Sequence, residues 1–361
     1  MKLKNLRSDL SSVDRKIVEL IAERQNIVSQ IGRHKRTGGT ATRDYAREKE
    51  VLDMSREQAI ALGVDPDLAE SLMRQLIRTS LESQERDRVI AEAKGDGRRA
   101  LVIGGAGKMG GWFVDFFASQ GFDTVVADAG VEDGPHQFHN WTDAGVDFDV
   151  IVVAAPLAVS GRILAQLAVL NPRGLIFDIG SLKTPLIDGL GELRDAGCKV
   201  TSLHPMFGPD TRLLSGRHLI FCDAGNAEAT AAAKELFSAT MVEQLDMGLD
   251  DHDRLIAYVL GLSHALNIAF FTALAESGEA APKLARLSST TFDSQLLVSG
   301  AVARDNPHLY FEIQHLNKFG LGPLDALTSA ATRLRELVAN GDEEGFVEMM
   351  QRGRDYLALR S

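Results

Sequence analysis

The sequence has little of what distinguishes secreted, membrane-spanning or nucleic-acid-binding proteins. It has only two cysteines, Cys198 and Cys222, and they lack the spacing of a metal site, so two buried thiols in a cytoplasmic chain without a metal are expected. The net charge of -11 argues against a nucleic-acid surface across the whole molecule. The N-terminus, MKLKNLRSDL, has no apolar segment behind its basic residues, unlike a secretion signal. Apolar runs are expected to fall short of the roughly 20 residues that span a bilayer, so no membrane contact is predicted.

The first part of the chain has the apolar spacing of helices and no pattern typical of a strand. A chain of 361 residues is too long for one ordinary core, so two or three domains are expected. A long amphipathic helix is predicted first, ended by the TGGT of residues 37–40. A second helix is expected over about residues 44–61, and a third begins at Pro66, with Asp65 as its cap. Residues 1–93 are therefore predicted to form an all-α domain, followed by a short polar linker.

The pattern changes at about residue 100, where short apolar runs begin to alternate with helical stretches. Such alternation is typical of a doubly wound parallel sheet, so a Rossmann-type α/β domain is predicted over 99–247. From 248 to 361 the apolar spacing is helical again, which predicts an all-α C-terminal domain. Strands are expected at ALVIGG (100–105), TVVADAG (124–130), DVIVVAAP (149–156) and GLIFDIG (174–180).

A glycine-rich turn of the form G-x-G-x-x-G follows the first of these strands and opens a helix. Its glycines let the backbone approach a pyrophosphate at the helix N-terminus. Asp128, at the end of the next strand, is placed to receive the ribose hydroxyls, and its charge would repel a 2′-phosphate, so NAD is predicted rather than NADP. The predicted cofactor-binding residues of the turn are Gly105, Ala106, Gly107, Lys108, Met109 and Gly110.

Two further strands lead into polar residues at the sheet edge where the ligands of such folds bind. DIGSLKTP (178–185) places Ser181 and Lys183 after one strand, and LHPMFGPD (203–210) places His204 at the end of the next. For a lone histidine a structural role would be the first expectation. With the dinucleotide turn upstream, a histidine on a stiff, proline-containing loop is instead predicted to be a general base beside the nicotinamide.

The motifs GGAGKMG, DIGSLK and LHPMFGPD, in this order, resemble prephenate dehydrogenase, and the resemblance continues through HDRLIAYVLGLSH (252–264) and DNPHLY (305–310). It implies that His204 removes the proton of the C4 hydroxyl as hydride passes to NAD, while the ring carboxylate leaves as CO2. It further implies that Ser181 orients this histidine and that Lys183 and His264 line the substrate pocket. The helical C-terminal segment would then serve dimerisation and substrate binding.

Polar residues at helical spacing also converge from the three N-terminal helices. Residues eleven positions apart on the first helix share one face, as do residues three or four apart on the other two. Together they can form a pocket for a small dianion. A solvated charged surface would be the better explanation of any one of these residues alone, but not of the whole set. The residues are Arg24, Lys35, Asp44, Arg47, Glu48, Ser80 and Gln84.

Arg7 lies 17 residues before Arg24, roughly 25 Å along a straight helix. One helix cannot bring both to one small molecule, whereas an antiparallel partner chain can, so a homodimer with shared sites is predicted. With Arg7 included, the set resembles the all-helical class of chorismate mutases. The resemblance implies that two arginines, one from each chain, hold the substrate carboxylates, that Lys35 and Gln84 hold the ether oxygen, and that an acid contacts the C4 substituent. Donors aimed at the developing charge would supply the catalysis without a cofactor.

The resemblance to prephenate dehydrogenase breaks at two positions. Where the family has an arginine for the ring carboxylate this chain has Ala301, and a second family arginine falls on Asp293. Arg304, one helical turn along, is predicted to replace the lost group. Alternatively, Asp293 meets a positive charge on the substrate. The substrates would then be 4-amino-4-deoxychorismate and 4-amino-4-deoxyprephenate, on a route towards 4-aminophenylalanine.

Two further interpretations remain open at this point. The second half of the chain could bind substrate or product without turnover and regulate an active mutase. It could also be a generic 3-hydroxyacid dehydrogenase, which would leave the N-terminal residues unexplained. The favoured prediction is a bifunctional enzyme of tyrosine biosynthesis, which rearranges chorismate to prephenate and oxidatively decarboxylates prephenate to 4-hydroxyphenylpyruvate.

Overall fold

A computed structural model describes residues 3–359, which divide into two compact units. The first unit comprises the chain up to Ala155 together with Gln166–Ile179 and Glu192–Asp246. The second comprises Pro156–Ala165, Gly180–Gly191 and the chain from Met247 onward. The outer limits of the predicted first and last domains, residues 1 and 361, lie outside the described residues.

Three helices begin the first unit, as predicted: α1 (Leu3–Thr37), α2 (Tyr45–Leu62) and α3 (Pro66–Ala91). Asp44 caps α2, since its side chain accepts a hydrogen bond of 3.0 Å from the backbone nitrogen of Arg47. Gly63 ends α2 at φ 71°, a left-handed conformation that glycine adopts without strain. Asp65 caps α3 through the backbone nitrogen of Asp67, and Pro66 occupies its first turn.

Helix α1 is exposed along most of its length. Within it, only Val28 and Gly32 are buried. Its N-terminal apolar residues Leu3, Leu6, Leu10, Val13, Ile17 and Leu20 each remain at least 50% exposed. Among residues 3–359, therefore, nothing covers the apolar stripe on the N-terminal half of this helix, although such stripes normally pack against another element.

An eight-stranded sheet follows, with the order β3-β2-β1-β4-β5-β6-β7-β8. The strands are β1 (Arg99–Ile103), β2 (Asp123–Ala127), β3 (Gln137–Phe138), β4 (Val150–Val153), β5 (Leu175–Asp178), β6 (Lys199–Pro205), β7 (His218–Cys222) and β8 (Glu243–Met247). The predicted parallel pairing is confirmed for β1 to β6. The sequence predicted no strand at β7, which pairs antiparallel with β6. The chain between these two strands forms no helix, and a parallel partner would have needed a crossover connection.

The core of the sheet domain is apolar and rich in phenylalanine. Strands β4 and β5 are buried along their whole length, which explains their continuous apolar sequences. Phe113, Phe117, Phe177, Phe221 and Phe237 are among the largest fully buried side chains. The helices that alternate with the strands are α4 (Lys108–Ser119), α5 (Leu157–Leu170), α6 (Ile187–Asp195) and α7 (Ala227–Glu235).

The second unit is helical in its C-terminal part, as predicted. A π-helical segment, Ala257–Leu262, interrupts the first long helical run and leaves backbone carbonyls outside the regular α-helical pattern. Gln314 and Asn317 donate 2.8 Å side-chain hydrogen bonds to the carbonyls of Gly261 and Asp253 in this run. The helices are α8 (Leu249–Ile256), α9 (Ser263–Glu276), α10 (Ala281–Arg286), α11 (Thr290–Arg304), α12 (Pro307–His315), α13 (Leu321–Asn340) and α14 (Glu343–Ala358).

By length and composition, the continuous run Leu249–Glu276 is long and apolar enough to cross a membrane, although the core helix of a soluble protein meets the same criteria. Residues 255–275 contain no Asp, Glu, Lys or Arg, so the expectation that apolar runs fall short of about 20 residues is wrong. Ser263, His264 and Asn267 break the apolar pattern of this run without adding a formal charge at neutral pH, which is why the sequence pattern concealed it.

Candidate functional site

A cavity of about 470 Å³ lies among α1, α2 and α3 of the first unit, here called the mutase cavity. Its walls combine apolar residues, such as Ile27 and Val51, with the charged and amide groups expected from the sequence. Seven of the eight residues predicted for the helical site line it: Arg24, Lys35, Asp44, Arg47, Glu48, Ser80 and Gln84. The helical spacing therefore brings together the set that it predicted.

Arg24 is held in place by α3. Its Nη1 donates to the hydroxyl of Ser80 at 2.6 Å and to the carbonyl of Leu76 at 3.2 Å, and the Ser80 hydroxyl donates to the same carbonyl. Burial lowers the pKa of the Arg24 guanidinium from its ordinary value. An arginine guanidinium is so strongly basic that it stays charged after such a lowering of its pKa, so Arg24 presents a fixed cation to the cavity.

Gln84 is buried and its amide oxygen accepts no hydrogen bond from any residue in 3–359. Gly32 of α1 faces it, and a Cβ built at that glycine would lie 3.1 Å from the Gln84 Cγ. The glycine thus lets α1 approach the glutamine closely. A buried amide oxygen without a donor costs about 1–3 kcal/mol, which a ligand group that donates a hydrogen bond to it can offset.

Lys35 and Asp44 both lie where α1 gives way to α2. The Lys35 Nζ donates to the carbonyl of Thr42 at 2.8 Å, which anchors the ammonium at the edge of the cavity. One oxygen of Asp44 is used as the helix cap of α2, and Arg47 makes a 2.9 Å ion pair with Glu50. Asp44 and Arg47 are more exposed than the rest of the set, so solvent screens their charges more strongly.

Glu48 is bound by an arginine that the sequence patterns did not identify. Arg43 donates from Nε and Nη2 to the two carboxylate oxygens of Glu48, both at 2.9 Å, and from Nη1 to the Ser215 hydroxyl at 2.8 Å. The hydrogen bonds with Glu48 raise the pKa of Arg43 despite its partial burial. Arg43 precedes α2, so helical spacing could not place it, and the separation of 172 residues from Ser215 leaves no local signal.

Arg7 lies exposed on α1 and does not line the mutase cavity. It is the one predicted residue of this site that the single chain does not bring to the others. The exposed apolar stripe of α1 runs over the same part of the helix.

The glycine-rich turn has the geometry that a pyrophosphate needs. A Cβ at Gly110 would lie 2.1 Å from the Gly104 carbonyl, and one at Gly105 would lie 2.9 Å from the Val126 side chain, so neither position accepts a larger residue. Helix α4 begins at Lys108, directly after Gly107, so its free N–H groups point to the turn. Ala106, Lys108 and Met109 complete the turn and the first residues of α4.

Asp128 directly follows β2, as predicted. Its Oδ1 accepts from the backbone nitrogen of Gly130 at 2.8 Å, and its Oδ2 accepts from that of Ala106 at 3.2 Å. The carboxylate is therefore fixed beside the turn. A glycine turn without room for side chains, a helix N-terminus and an oriented acid together fit a dinucleotide.

His204 is buried in β6, opposite Ile220 of β7. The predicted position at the end of a strand is confirmed, because β6 ends at Pro205. The histidine lies within the strand itself, so the expectation of a stiff loop is wrong. Strand pairing on the β7 side holds its backbone rigidly, which suits a group that must present one ring nitrogen in a fixed direction.

In the second unit, Asp253 organizes the segment that contains Ser181 and Lys183. It accepts hydrogen bonds from the backbone nitrogens of Lys183 (2.8 Å) and Thr184 (2.5 Å), from the Thr184 hydroxyl (2.5 Å), and its Oδ1 lies 2.8 Å from His252 Nδ1. Burial alone would raise the pKa of Asp253, but these hydrogen bonds outweigh burial and hold the pKa below its ordinary value. Lys183 is fully buried and its Nζ donates to the Gly180 carbonyl at 2.8 Å. The HDRL sequence contained Asp253, but nothing local indicated its partners.

His264 belongs to a second cluster in this unit. Its ring centroid lies 4.2 Å from that of Tyr310, whose hydroxyl is 3.5 Å from Asp305. Burial lowers the pKa of His264, and the charge of Asp305 partly opposes the shift. The buried Nδ1 of His264 has no hydrogen-bond partner in the described part of the chain. A neutral imidazole with a free nitrogen is available to a ligand, and the position of His264 in the substrate pocket stays a prediction.

Asp293 and Arg304 lie at opposite ends of α11 and are both exposed. The Asp293 carboxylate accepts a short hydrogen bond from the Ser288 hydroxyl, in the N-terminal turn where a negative charge is favoured. Arg304 folds back along the helix, with Nη1 3.1 Å from where a Cβ on Gly300 would lie, next to Ala301. Arg304 thus lies beside Ala301, and its replacement of the missing arginine stays a prediction. Asp293 has a local partner in Ser288.

Glu85 connects α3 to the sheet domain within the first unit. It is 3% exposed, and its two carboxylate oxygens accept hydrogen bonds from the backbone nitrogens of Leu214 (2.7 Å) and Met241. Burial raises the pKa of Glu85, and the two backbone hydrogen bonds oppose the shift. It neighbours Gln84 in sequence but does not line the mutase cavity. The helical spacing that predicted the cavity residues therefore could not identify it.

Three family models match successive parts of the chain. Residues 6–85 match chorismate mutase type II, residues 122–243 match the nucleotide-binding domain of prephenate dehydrogenase, and residues 249–352 match its dimerization domain. The second match begins after the glycine-rich turn, so the assignment of that turn depends on its geometry and its place before β2. The predicted helical, Rossmann-type and helical succession is thereby confirmed.

Relatives span the full chain or its second part. The T-protein of Enterobacter agglomerans is 27% identical over 351 residues, covering 97% of this chain and 92% of that protein. The 4-amino-4-deoxyprephenate dehydrogenase of Streptomyces pristinaespiralis is 28% identical over 273 residues, covering 72% of this chain and 91% of the relative. The solved prephenate dehydrogenase of A. aeolicus, in complex with hydroxyphenyl propionate and NAD+, matches with a TM-score of 0.60 at 18% identity, over 73% of this chain and 98% of that one. The chain therefore joins a type II chorismate mutase domain to the nucleotide-binding and dimerization domains of prephenate dehydrogenase, and it is similar over nearly its full length to a T-protein.

Proposed function

We propose that the chain rearranges chorismate to prephenate and then oxidatively decarboxylates prephenate to 4-hydroxyphenylpyruvate with NAD, two steps of tyrosine biosynthesis. The observation that carries this proposal is the mutase cavity, where seven of the eight predicted residues meet in one place. Both domains of a prephenate dehydrogenase follow in the same chain. The product of the first reaction is thus the substrate that the second part of the chain is built to use.

In the proposed mutase reaction, the protein acts by fixed charges and hydrogen-bond donors alone. The Arg24 guanidinium, oriented by Ser80, pairs with a substrate carboxylate. Lys35 and Gln84 donate to the ether oxygen, on which negative charge develops as its bond to carbon breaks. Because Gln84 is an amide, it remains a donor at every pH, whereas a glutamate would have to be protonated.

The second carboxylate is proposed to be held by Arg7 of a partner chain. Arg7 is exposed and lies outside the cavity of its own chain, on the part of α1 where the apolar stripe is uncovered. A second copy of α1 packed antiparallel on that stripe would bury it and carry Arg7 to the neighbouring cavity. The dimerization domain matched at 249–352 also supports a homodimer.

In the proposed dehydrogenase reaction, the glycine-rich turn holds the pyrophosphate and Asp128 binds the ribose hydroxyls. NAD, when bound, accepts the hydride. His204 takes the proton of the C4 hydroxyl, and loss of CO2 makes the product aromatic. Ser181, Lys183 and His264 are proposed to assist as the family resemblance implies, and Arg304 to bind the ring carboxylate in place of the missing arginine.

A second candidate substrate pair carries an amine at C4 in place of the hydroxyl. The exposed carboxylate of Asp293 and the relative from Streptomyces pristinaespiralis favour it. We propose that Glu48 is the acid that contacts the C4 substituent. Its ion pair with Arg43 neutralises this carboxylate and therefore argues against the amine. An ammonium at C4 would need an uncompensated carboxylate, so the pair favours the hydroxyl.

The deciding experiment is a side-by-side assay of the purified chain with chorismate, prephenate and their 4-amino counterparts, each with NAD and with NADP. We expect chorismate consumption without cofactor. With prephenate we expect reduction of the cofactor, faster for NAD than for NADP. Faster turnover of the 4-amino compounds would favour the second candidate. Mutase activity without NADH formation from either prephenate compound would instead indicate a regulatory second half.

The shared site is tested by mixing two inactive variants. In a dimer of Arg7→Ala with Arg24→Ala, one of the two sites has both arginines intact and the other has neither. Statistical mixing of the refolded chains should therefore restore about a quarter of the wild-type mutase activity. Mixed chains that stay inactive would show that each chain completes its own site.

We further propose three domains, at 1–93, 99–247 and 248–361, and a cytoplasmic location, with the two buried cysteines as free thiols.

A further inference from the structure

A second cleft, of about 270 Å³, lies beside the mutase cavity on the far side of the Arg43–Glu48 pair. It is formed by α2, α3 and residues 213–217, all within the first unit, and we call it the arginine cleft. Neither proposed reaction uses it. Its apolar lining residues are Leu52, Ile77, Leu81 and Leu213.

The polar lining of the arginine cleft is strongly cationic. Arg43, Arg74, Arg78 and Arg217 contribute four guanidinium groups, against the single carboxylate of Glu48. Ser215 adds a hydroxyl. Arg74 and Arg78 form exposed ion pairs with acids on their own helix. Exposed pairs of this kind are weak and exchange readily with another anion.

Arg217 is the group that most clearly lacks an anion. Its side chain is exposed and makes no hydrogen bond or ion pair with any residue between 3 and 359. Its backbone is fixed on both sides, because its N–H donates to Leu214 and its carbonyl accepts from Glu243. A fixed backbone with a free guanidinium, facing a cleft with three other arginines, is arranged to receive a negative group.

We propose that the arginine cleft binds a small organic anion, a carboxylate or phosphate on an apolar body of about one ring, and that its occupancy slows the mutase. The charge of the ligand is set by the arginines and its apolar part by the four aliphatic side chains. The cleft volume is below the usual range of about 300–1,000 Å³ for larger ligands, so only a small molecule fits.

Arg43 connects the cleft to the mutase cavity. Glu48 lines both, and Arg43 binds both its oxygens from the cleft side. An anion in the cleft competes for Arg43, so the restraint on Glu48 weakens. This part of the inference depends on the proposed role of Glu48 at the C4 substituent. Because such a partly exposed pair contributes modestly, the mutase kcat is expected to fall about two- to fivefold.

Binding is measured first, by calorimetry on the full chain. The probes are 3-phenylpropionate, phenyl phosphate, inorganic phosphate and neutral 3-phenylpropanol. The dehydrogenase part can also bind aromatic acids. We therefore compare the wild type with Arg217→Gln and follow the binding that differs between them. That substitution should weaken binding at this site about tenfold or more for the first two probes. Arg173→Gln, which removes an exposed arginine outside the cleft, should bind as the wild type does.

The result that overturns the proposal is equal binding of both anionic probes by the wild type and Arg217→Gln, or equal binding of 3-phenylpropanol at this site. If the wild type binds only phenyl phosphate at this site, the ligand is restricted to phosphates. If it binds only 3-phenylpropionate there, the ligand is restricted to carboxylates. These measurements decide whether the cleft binds anions even if the chain has no mutase activity.

The kinetic part uses the mutase assay in the presence of each probe. Inhibition should be non-competitive with chorismate and should disappear in Arg217→Gln, whose basal activity is unchanged. Competitive inhibition that persists in this variant would place the ligand in the mutase cavity, and the regulatory part of the inference would be wrong.

Discussion

The two predicted sites of this chain differ in how their residues are distributed. All the mutase residues but Arg7 belong to three neighbouring helices and line one cavity. The dehydrogenase residues are divided, with His204 and the glycine-rich turn in the first unit and Ser181, Lys183 and His264 in the second. The glycine-rich turn and the segment with Ser181 and Lys183 are each held by local hydrogen bonds of their own. The mutase site is therefore nearly complete within one chain segment, whereas the second depends on several separately stabilised segments.

The largest effect is expected at the proposed base of the dehydrogenase. His204→Asn should lower NADH formation from prephenate by about 10²–10⁴-fold, because the amide cannot accept the proton. Chorismate consumption should remain at the wild-type level, since the mutase residues lie elsewhere. His136→Asn, at an exposed histidine of the same unit, serves as the control. Equal loss of both activities would mean that the two sites are not separable.

Arg24→Ala should have the converse effect. The mutase kcat/KM should fall by about 10²–10³-fold, because removing one partner of a buried, hydrogen-bonded charge pair with a substrate carboxylate costs about 2–5 kcal/mol. NADH formation from added prephenate should persist. Ser80→Ala is the matched comparison, because it removes only the hydroxyl that orients Arg24. It should lose less activity. A loss as large as that of Arg24→Ala would show that Ser80 acts on the substrate itself.

Asp253→Asn tests the local network of the second unit. The amide nitrogen would face a backbone N–H donor, so we expect the free energy of unfolding to fall by about 2–3 kcal/mol in urea titrations at neutral pH. In the wild type the folded pKa of Asp253 lies below the unfolded one. Its contribution is therefore complete above the unfolded pKa of about 4 and is lost as the pH falls through the folded pKa.

The acid limb of the stability curve should accordingly be shallower in Asp253→Asn than in the wild type. Thr184→Ala, which removes one hydroxyl donor and leaves the carboxylate, is the control with a smaller expected loss. An unchanged slope in Asp253→Asn would show that this carboxyl has the same pKa in both states.

The smallest expected effect sharpens the substrate assignment of the mutase. Arg43→Gln frees the charge of Glu48, so the ratio of kcat/KM for the 4-amino substrate over chorismate should rise about two- to fivefold. Arg56→Gln removes an arginine that pairs with Asp67 and Glu70 outside the cavity and should leave the ratio unchanged. If the ratio is unchanged in Arg43→Gln as well, Glu48 does not contact the C4 substituent.

Helical spacing in the sequence was enough to predict the mutase set, because a fixed rise and turn per residue place side chains on faces. The glycine-rich turn and Asp128 were also predictable, since each has a local steric or electrostatic reason for its residue type. Arg43, Asp253 and Glu85 were missed because their partners lie far away in sequence or in loops without a period. The antiparallel β7 was missed for a related reason, since no sequence pattern marks the direction in which a loop returns.

The burial of Glu85 and of its neighbour Val89 has a consequence for how this fusion can be divided. Val89 of α3 belongs to the same apolar core as Phe113, Phe116 and Phe117 of α4, although the polar linker lies between them in sequence. A cut at that linker would open this core and separate Glu85 from both of its backbone partners. The linker thus separates two parts of the sequence that share one hydrophobic core and stabilise each other. Recombination or truncation at this point should yield fragments less stable than the parent, and the two parts are expected to be inherited together.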